Sequence, residues 1–257
     1  MALTEAQNPL TPSTVTIGTF TANLPTPQRA LAIGAHPDDV DFSCGATVAK
    51  WAAAGCEVHI LVCTDGSKGT WDRDADEADL IAIRRDEQRA AARALGAVGE
   101  VAFLDHPDGE LLSGMPERRQ VAEIIRRTKP DVVLGHDPWR RYRLHPDHRH
   151  AGWLTTDGVV AARDPKFFPD LTLPHHRPDL LLLFEADEPD HAEDVSSYLE
   201  PKYRALTAHA SQFETTMQSE QDPEMSRFRE RLEVKLATAG QAVGMGMAEL
   251  YKLIDDL

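Results

Sequence analysis

Between Arg29 and Gly135, short apolar runs alternate with stretches of helical length, and this alternation constrains the fold more than any other feature of the chain. Arg29–Gly34 and Glu57–Cys63 read as strands, the second with Val58, Ile60 and Val62 on one face. Glu100–Leu104 and Asp131–Gly135 read the same way, and Asp179–Phe184 looks like a buried strand further along. Helices are expected at Ala46–Ala54, closed by Gly55, and at Asp79–Leu95, closed by Gly96. Another is expected at Pro116–Thr128, with proline at a favoured first position, and two more at Ser197–His209 and Met225–Ala237. Strands that alternate with helices in this way build βαβ units. The expected class is therefore α/β, a Rossmann-like three-layer sandwich with a mainly parallel sheet and helices on both faces. Residues 1–28, rich in Thr and Pro and without periodicity, are expected to form an N-terminal arm, and residues 29–257 a single domain.

In open parallel sheets, ligands bind at the carboxyl ends of strands. Here the segments that follow the strands are rich in acid and histidine. The first strand leads into Ala35-His36-Pro37-Asp38-Asp39, the second into Thr64-Asp65-Gly66 and the third into Asp105-His106-Pro107-Asp108-Gly109. The fourth leads into a longer segment that starts at His136 and ends in His145-Pro146-Asp147-His148.

His36 and Asp39 offer an imidazole nitrogen and a carboxylate three residues apart, bent by Pro37 so that both can face one ion. Three His or Asp ligands with one open position is the catalytic pattern for zinc, and His148 is the best candidate for the third. That leaves Asp38 beside the ion without a ligand role, placed to take a proton from water. His145 is also left free, to steady an oxyanion or protonate a leaving amine, with Asp147 orienting it and keeping it protonated. A lone His-Pro-Asp is usually a turn, because proline fixes φ and Asp caps the next helix. That reading suits His106-Pro107-Asp108 as well as a functional one does. It suits the other two segments poorly, since each follows a strand and each carries the extra Asp or His that completes a site. His59, His175, His176 and His191 are expected at the surface or satisfied in the core.

Ala-His-Pro-Asp-Asp at 35–39 and His-Pro-Asp-His at 145–148, on this strand pattern, resemble the two signature motifs of the LmbE-like (PIG-L) deacetylases. Supporting matches run along most of the chain, among them Cys44-Gly45-Ala46-Thr47, Arg84-Arg85-Asp86-Glu87, Asp108-Gly109 and Ala208-His209-Ala210-Ser211-Gln212. The resemblance implies a zinc-dependent N-deacetylase with His36, Asp39 and His148 as metal ligands, Asp38 as general base, and His145 with Asp147 as the pair that stabilises the transition state. It further implies that Arg84 and Asp108 contact the substrate's sugar hydroxyls, and that Tyr142 lies near where relatives place a mobile oxyanion-binding Tyr. One zinc ion is the expected cofactor, with another divalent ion such as Fe2+ as the alternative, because selectivity follows availability. The expected substrate is an N-acyl amino sugar or sugar conjugate; an amidase for a larger thiol conjugate and a non-catalytic metal- or sugar-binding module are the rival readings. Many relatives carry Glu at position 40 or 41, where this chain has Val40 and Asp41, which leaves the role of Asp41 open.

Composition narrows the partners. Lys and Arg total 27 against 42 Asp and Glu, and a formal charge of −15 repels phosphate backbones and anionic lipid. Nucleic-acid and membrane partners are therefore not expected. The first 28 residues contain no Lys or Arg, unlike a secretory signal, so a cytoplasmic location is expected. Cys44, Cys56 and Cys63 lie in apolar segments without a C-x-x-C spacing and are expected as buried free thiols. Assembly into a homo-oligomer is left open.

Overall fold

Neighbouring residues on a strand point to opposite faces of a sheet, and in the central strands both sets are apolar. The computed structural model describes residues 20–218 and 225–257. The chain runs through β1 (Thr21–Ala22), β2 (Arg29–Gly34), α1 (Asp39–Ala53), β3 (Glu57–Thr64), α2 (Glu77–Leu95), β4 (Val101–His106) and α3 (Met115–Thr128). It continues through β5 (Val132–His136), α4 (Pro146–Arg163), β6 (Leu180–Phe184), β7 (His191–Asp194), α5 (Leu199–Thr207), α6 (Ser226–Ala242) and β8 (Ala248–Ile254). The strands form one sheet in the order β1-β7-β8-β6-β5-β2-β3-β4. Every pairing is parallel except those of β8, which lies antiparallel between β6 and β7.

Ala30 and Ala32 of β2 join Val58, Ile60 and Val62 of β3 in one apolar layer, covered by Val40, Cys44, Val48 and Trp51 of α1 and by Ala91 and Leu95 of α2. Leu31 and Ile33 of β2 join Leu61, Val133, Leu181 and Leu183 in the other, beneath Val121 and Ile125 of α3 and Leu154 of α4. This is the expected three-layer sandwich. Helix α6 adds an outer cover, with Phe228, Leu232 and Leu236 meeting Ala46 of α1 and Leu206 of α5. The three cysteines are free and buried.

Several elements differ in extent from the sequence reading. Helix α1 starts at Asp39, seven residues before the expected Ala46, because the signature segment itself turns into the helix and places Asp39 and Asp41 in its first turn. Strands β7 and β8 were not read at all. Polar His191, Glu193 and Glu249 interrupt their buried positions, which also hold Ala192, Ala248 and Tyr251, so they lack the continuous apolar signature of a core strand. Strand β1 falls within the segment read as an arm; it pairs with β7, and Leu24 just after it is buried. Residues 1–19 of that arm lie outside the described residues. Among the described residues, no helix is long and apolar enough to cross a membrane.

Candidate active site

Strand β2 has β3 on one side and β5 on the other, so the chain moves outward through β3 and β4 and then returns across β2. Loops leaving the carboxyl ends of β2 and β5 therefore part in opposite directions and open a crevice. His36, Asp38 and Asp39 enter it from the turn after β2. His136 enters from the end of β5, and His145, Asp147 and His148 from the start of α4, where Pro146 occupies the first turn.

The two signature motifs meet there. His36 Nδ1 lies 3.1 Å from His148 Nε2, Asp39 Oδ1 lies 3.3 Å from His148 Nε2, and Asp39 Oδ2 lies 3.4 Å from His36 Nδ1. A tetrahedral ion with ligand bonds of about 2.0–2.1 Å holds its donors about 3.3 Å apart, a spacing that His148 Nε2 keeps from His36 Nδ1 and from Asp39 Oδ1, while Asp39 approaches His36 Nδ1 through its other oxygen, Oδ2. The other sides of the donors are already engaged. His36 Nε2 lies 3.2 Å from both Asp147 Oδ2 and Asp108 Oδ1, which fixes a hydrogen there and turns Nδ1 into the crevice. Asp39 Oδ2 accepts the His36 backbone N–H at 2.8 Å.

Charge follows the same arrangement. Burial opposes a charge on His36, but the carboxylates of Asp108 and Asp147 overcome it and hold the imidazole well above its usual range. Burial alone would raise Asp39, yet His148 and His136 beside it keep its carboxyl well below the usual value. His148, desolvated and only partly compensated by Asp39, is pushed down to about 3 and stays neutral, as a metal ligand must be.

Asp38 is held differently. Its backbone adopts φ 113°, its N–H donates to Gln88 Oε1 at 2.8 Å, and its Oδ2 lies 3.3 Å from Arg84 Nη2. Burial raises its pKa to about 6 against the opposing pull of the Arg84 guanidinium. Arg84, 3% exposed, also donates to the Pro37 carbonyl at 2.7 Å and the Gly66 carbonyl at 2.9 Å. Gly66 has φ 69°, and a Cβ there would meet Arg84 Nη1 at 2.7 Å, so both backbone and space require glycine. Asp41 receives Gln88 Nε2 at 2.9 Å and pairs with His209 Nε2 at 3.0 Å. It thus steadies the glutamine that holds Asp38.

His145 sits at the head of α4 with its ring 4.6 Å from that of His36 and stacked on His148 at 4.9 Å. The Asp147 carboxylate is not hydrogen-bonded to it. Asp147 instead accepts the Gly109 and Leu111 backbone N–H groups at 2.6 and 3.2 Å and meets His36, binding the loop after β4 to α4. Burial and the neighbouring His36 lower the His145 pKa. Arg84 and Asp108, read from the sequence as substrate contacts, are buried beside Asp38 and His36, and Tyr142 is 91% exposed with φ 60°. Sequence reasoning gave no role to His136, Glu185, Gln88 or His209. His136 and Glu185 do stand at strand ends, the one signal that could have marked them.

Residues 31–159 match the family PIG-L, GlcNAc-PI de-N-acetylase. The diacetylchitobiose deacetylase of Thermococcus kodakarensis is 36% identical over 72% of this chain and 70% of its own length. The 1D-myo-inositol 2-acetamido-2-deoxy-alpha-D-glucopyranoside deacetylase of Mycolicibacterium vanbaalenii is 31% identical over 72% of this chain and 80% of its own. Among solved structures, N,N'-diacetylchitobiose deacetylase from Pyrococcus horikoshii superposes with a TM-score of 0.80 at 30% identity, covering 89% of this chain and 84% of that one. Fold, paired motifs and extended identity agree: the chain belongs to the PIG-L family of amide hydrolases.

Proposed function

We propose that the protein is a zinc-dependent N-deacetylase that frees the amine of an N-acetylated amino sugar or sugar conjugate. The observation that carries this reading is the convergence of His36, Asp39 and His148 in one crevice, with the buried carboxyl of Asp38 beside them. A pure binding site has no use for that extra carboxylate. The two curated relatives act on diacetylchitobiose and on an acetamido-deoxyglucopyranoside, which supports an N-acetylglucosamine-type substrate.

His36 Nδ1, Asp39 Oδ1 and His148 Nε2 would hold the ion. Zinc bound there would supply Lewis-acid polarisation of the amide carbonyl and a lowered pKa for water. Asp38, ionised above about pH 6, accepts the proton of the attacking water and returns it to the departing nitrogen. Arg84 and Gln88 fix the direction from which it does so. His145 faces the developing oxyanion from the head of α4, whose N-terminal dipole favours negative charge. Asp108 and Asp147 hold the His36 tautomer. The rim supplies hydrogen-bonding groups such as Asp65 and Arg140 for sugar hydroxyls.

Release of free amine from a panel of N-acetyl sugars, larger N-acyl conjugates and a plain alkyl acetamide tests this. A site that pairs polar groups with hydroxyls rejects substrates lacking them, so kcat/KM for the best amino sugar should exceed that for the alkyl acetamide by about 10²-fold or more. Equal values would remove the sugar from the account and leave the metal chemistry standing.

A further inference from the structure

His136 and Glu185 belong to neither signature motif, yet they adjoin two of the three proposed ligands. His136 is 2% exposed; its Nε2 lies 3.3 Å from Asp39 Oδ2 and its Nδ1 lies 3.5 Å from Glu185 Oε2. Neither His136 Nδ1 nor Glu185 Oε2 has an aligned hydrogen bond. Glu185, the first residue after β6, has φ 58°, a left-handed backbone that a side chain adopts at a cost and that collects at functional sites. Its Oε2 is also 2.6 Å from Arg143 Nη2, and its Oε1 is 3.4 Å from Arg140 Nη1. The same Arg143 nitrogen rests against His148 Nδ1. Glu185 therefore faces His136, which in turn faces the proposed ligand Asp39.

We propose that Glu185 is a positioning residue for the metal site, orienting Asp39 through His136. This rests on the reading of His36, Asp39 and His148 as the ligands. Asp39 Oδ2 is occupied by the His36 N–H and faces His136, which leaves Oδ1 as the donor next to His148. Without His136 the carboxylate is free to turn. Partners of this kind are typically worth about 10- to 100-fold in metal affinity.

The test is the zinc dissociation constant of metal-free protein, measured by competition with a chromogenic chelator for wild type, Glu185→Gln, His136→Leu and His136→Gln. Glu185→Gln and His136→Leu should bind zinc about 10- to 100-fold more weakly, while His136→Gln, whose amide N–H can reach the Nε2 position, stays within about threefold of wild type. Thermal melting of the metal-free proteins should be unchanged by Glu185→Gln. Wild-type affinity in Glu185→Gln or His136→Leu overturns the proposal, as does equal weakness of both His136 variants. An affinity loss matched by a lower melting temperature of the metal-free protein also overturns it, assigning Glu185 to the fold. If wild type itself binds no zinc, the ligand reading fails first, and that result is distinct from the others.

Discussion

Asp38 combines an uncommon backbone, burial and a guanidinium that only partly offsets the burial. Raising its carboxyl from the ordinary 3.8 to about 6 means that the metal-free folded state binds this proton more tightly than the unfolded chain does. The stabilisation from that proton is present at low pH and is lost as pH rises through about 6, leaving a deficit of roughly 3 kcal/mol at pH 7. Asp38→Asn removes the deficit. Melted without metal at pH 7, the variant should be more stable than wild type by up to that amount, and the difference should close near pH 4. The same variant should lose at least about 10²-fold in kcat, as general-base removal does, while keeping its zinc. For wild type, kcat/KM should fall on the acid side as Asp38 takes up its proton. His36 gives a second observable at this scale. Its two carboxylate partners keep it protonated in the metal-free protein, and a ligand nitrogen must be free, so zinc uptake has to expel a proton. Adding zinc to chelated protein in weak buffer at pH 7 should release about one proton per ion bound, read with an indicator dye. Uptake without release would contradict the role of His36.

At the scale of elements, the site depends on where α1 and α4 begin. Pro37 and Pro146 stand at the two helix starts and hold the flanking His and Asp residues toward one crevice, and for that reason the ligand candidates were legible in the sequence. The first α/β units were legible for a similar reason, since Ala30 to Ile33 and Val58 to Val62 carry apolar side chains on both faces. Strands β7 and β8 were not, because charged residues such as Glu193 and Glu249 stand among their buried positions and make sense only with partners far away in the chain. Lys202 of α5 meets Glu249 of β8 at 2.5 Å, and Glu249 also accepts the backbone N–H groups of Ala46 and Thr47 in α1 at 3.1 and 2.8 Å. No local pattern announces such a pairing. Lys202→Ala would leave Glu249 buried and uncompensated, so it should lower stability by about 3–5 kcal/mol, measured by denaturant unfolding. The surroundings of Arg84 and Asp108 were hidden for a related reason, since their burial beside Asp38 and His36 is set by elements far apart in the chain.

For the whole molecule, two apolar layers close over the sheet without help from the crevice, and the proposed ligands project from loops and helix ends beyond them. Removing metal should therefore abolish turnover and leave the far-UV circular dichroism of the fold unchanged. The most direct test of the central claim is a titration of the chelated protein with zinc, following amine release from an N-acetylglucosamine-type substrate. Activity should rise from background to a plateau near one ion per chain, and Asp38→Asn should take up the same zinc yet remain at least about 10²-fold slower. Full activity in chelated protein, or an Asp38→Asn plateau equal to wild type, would contradict it.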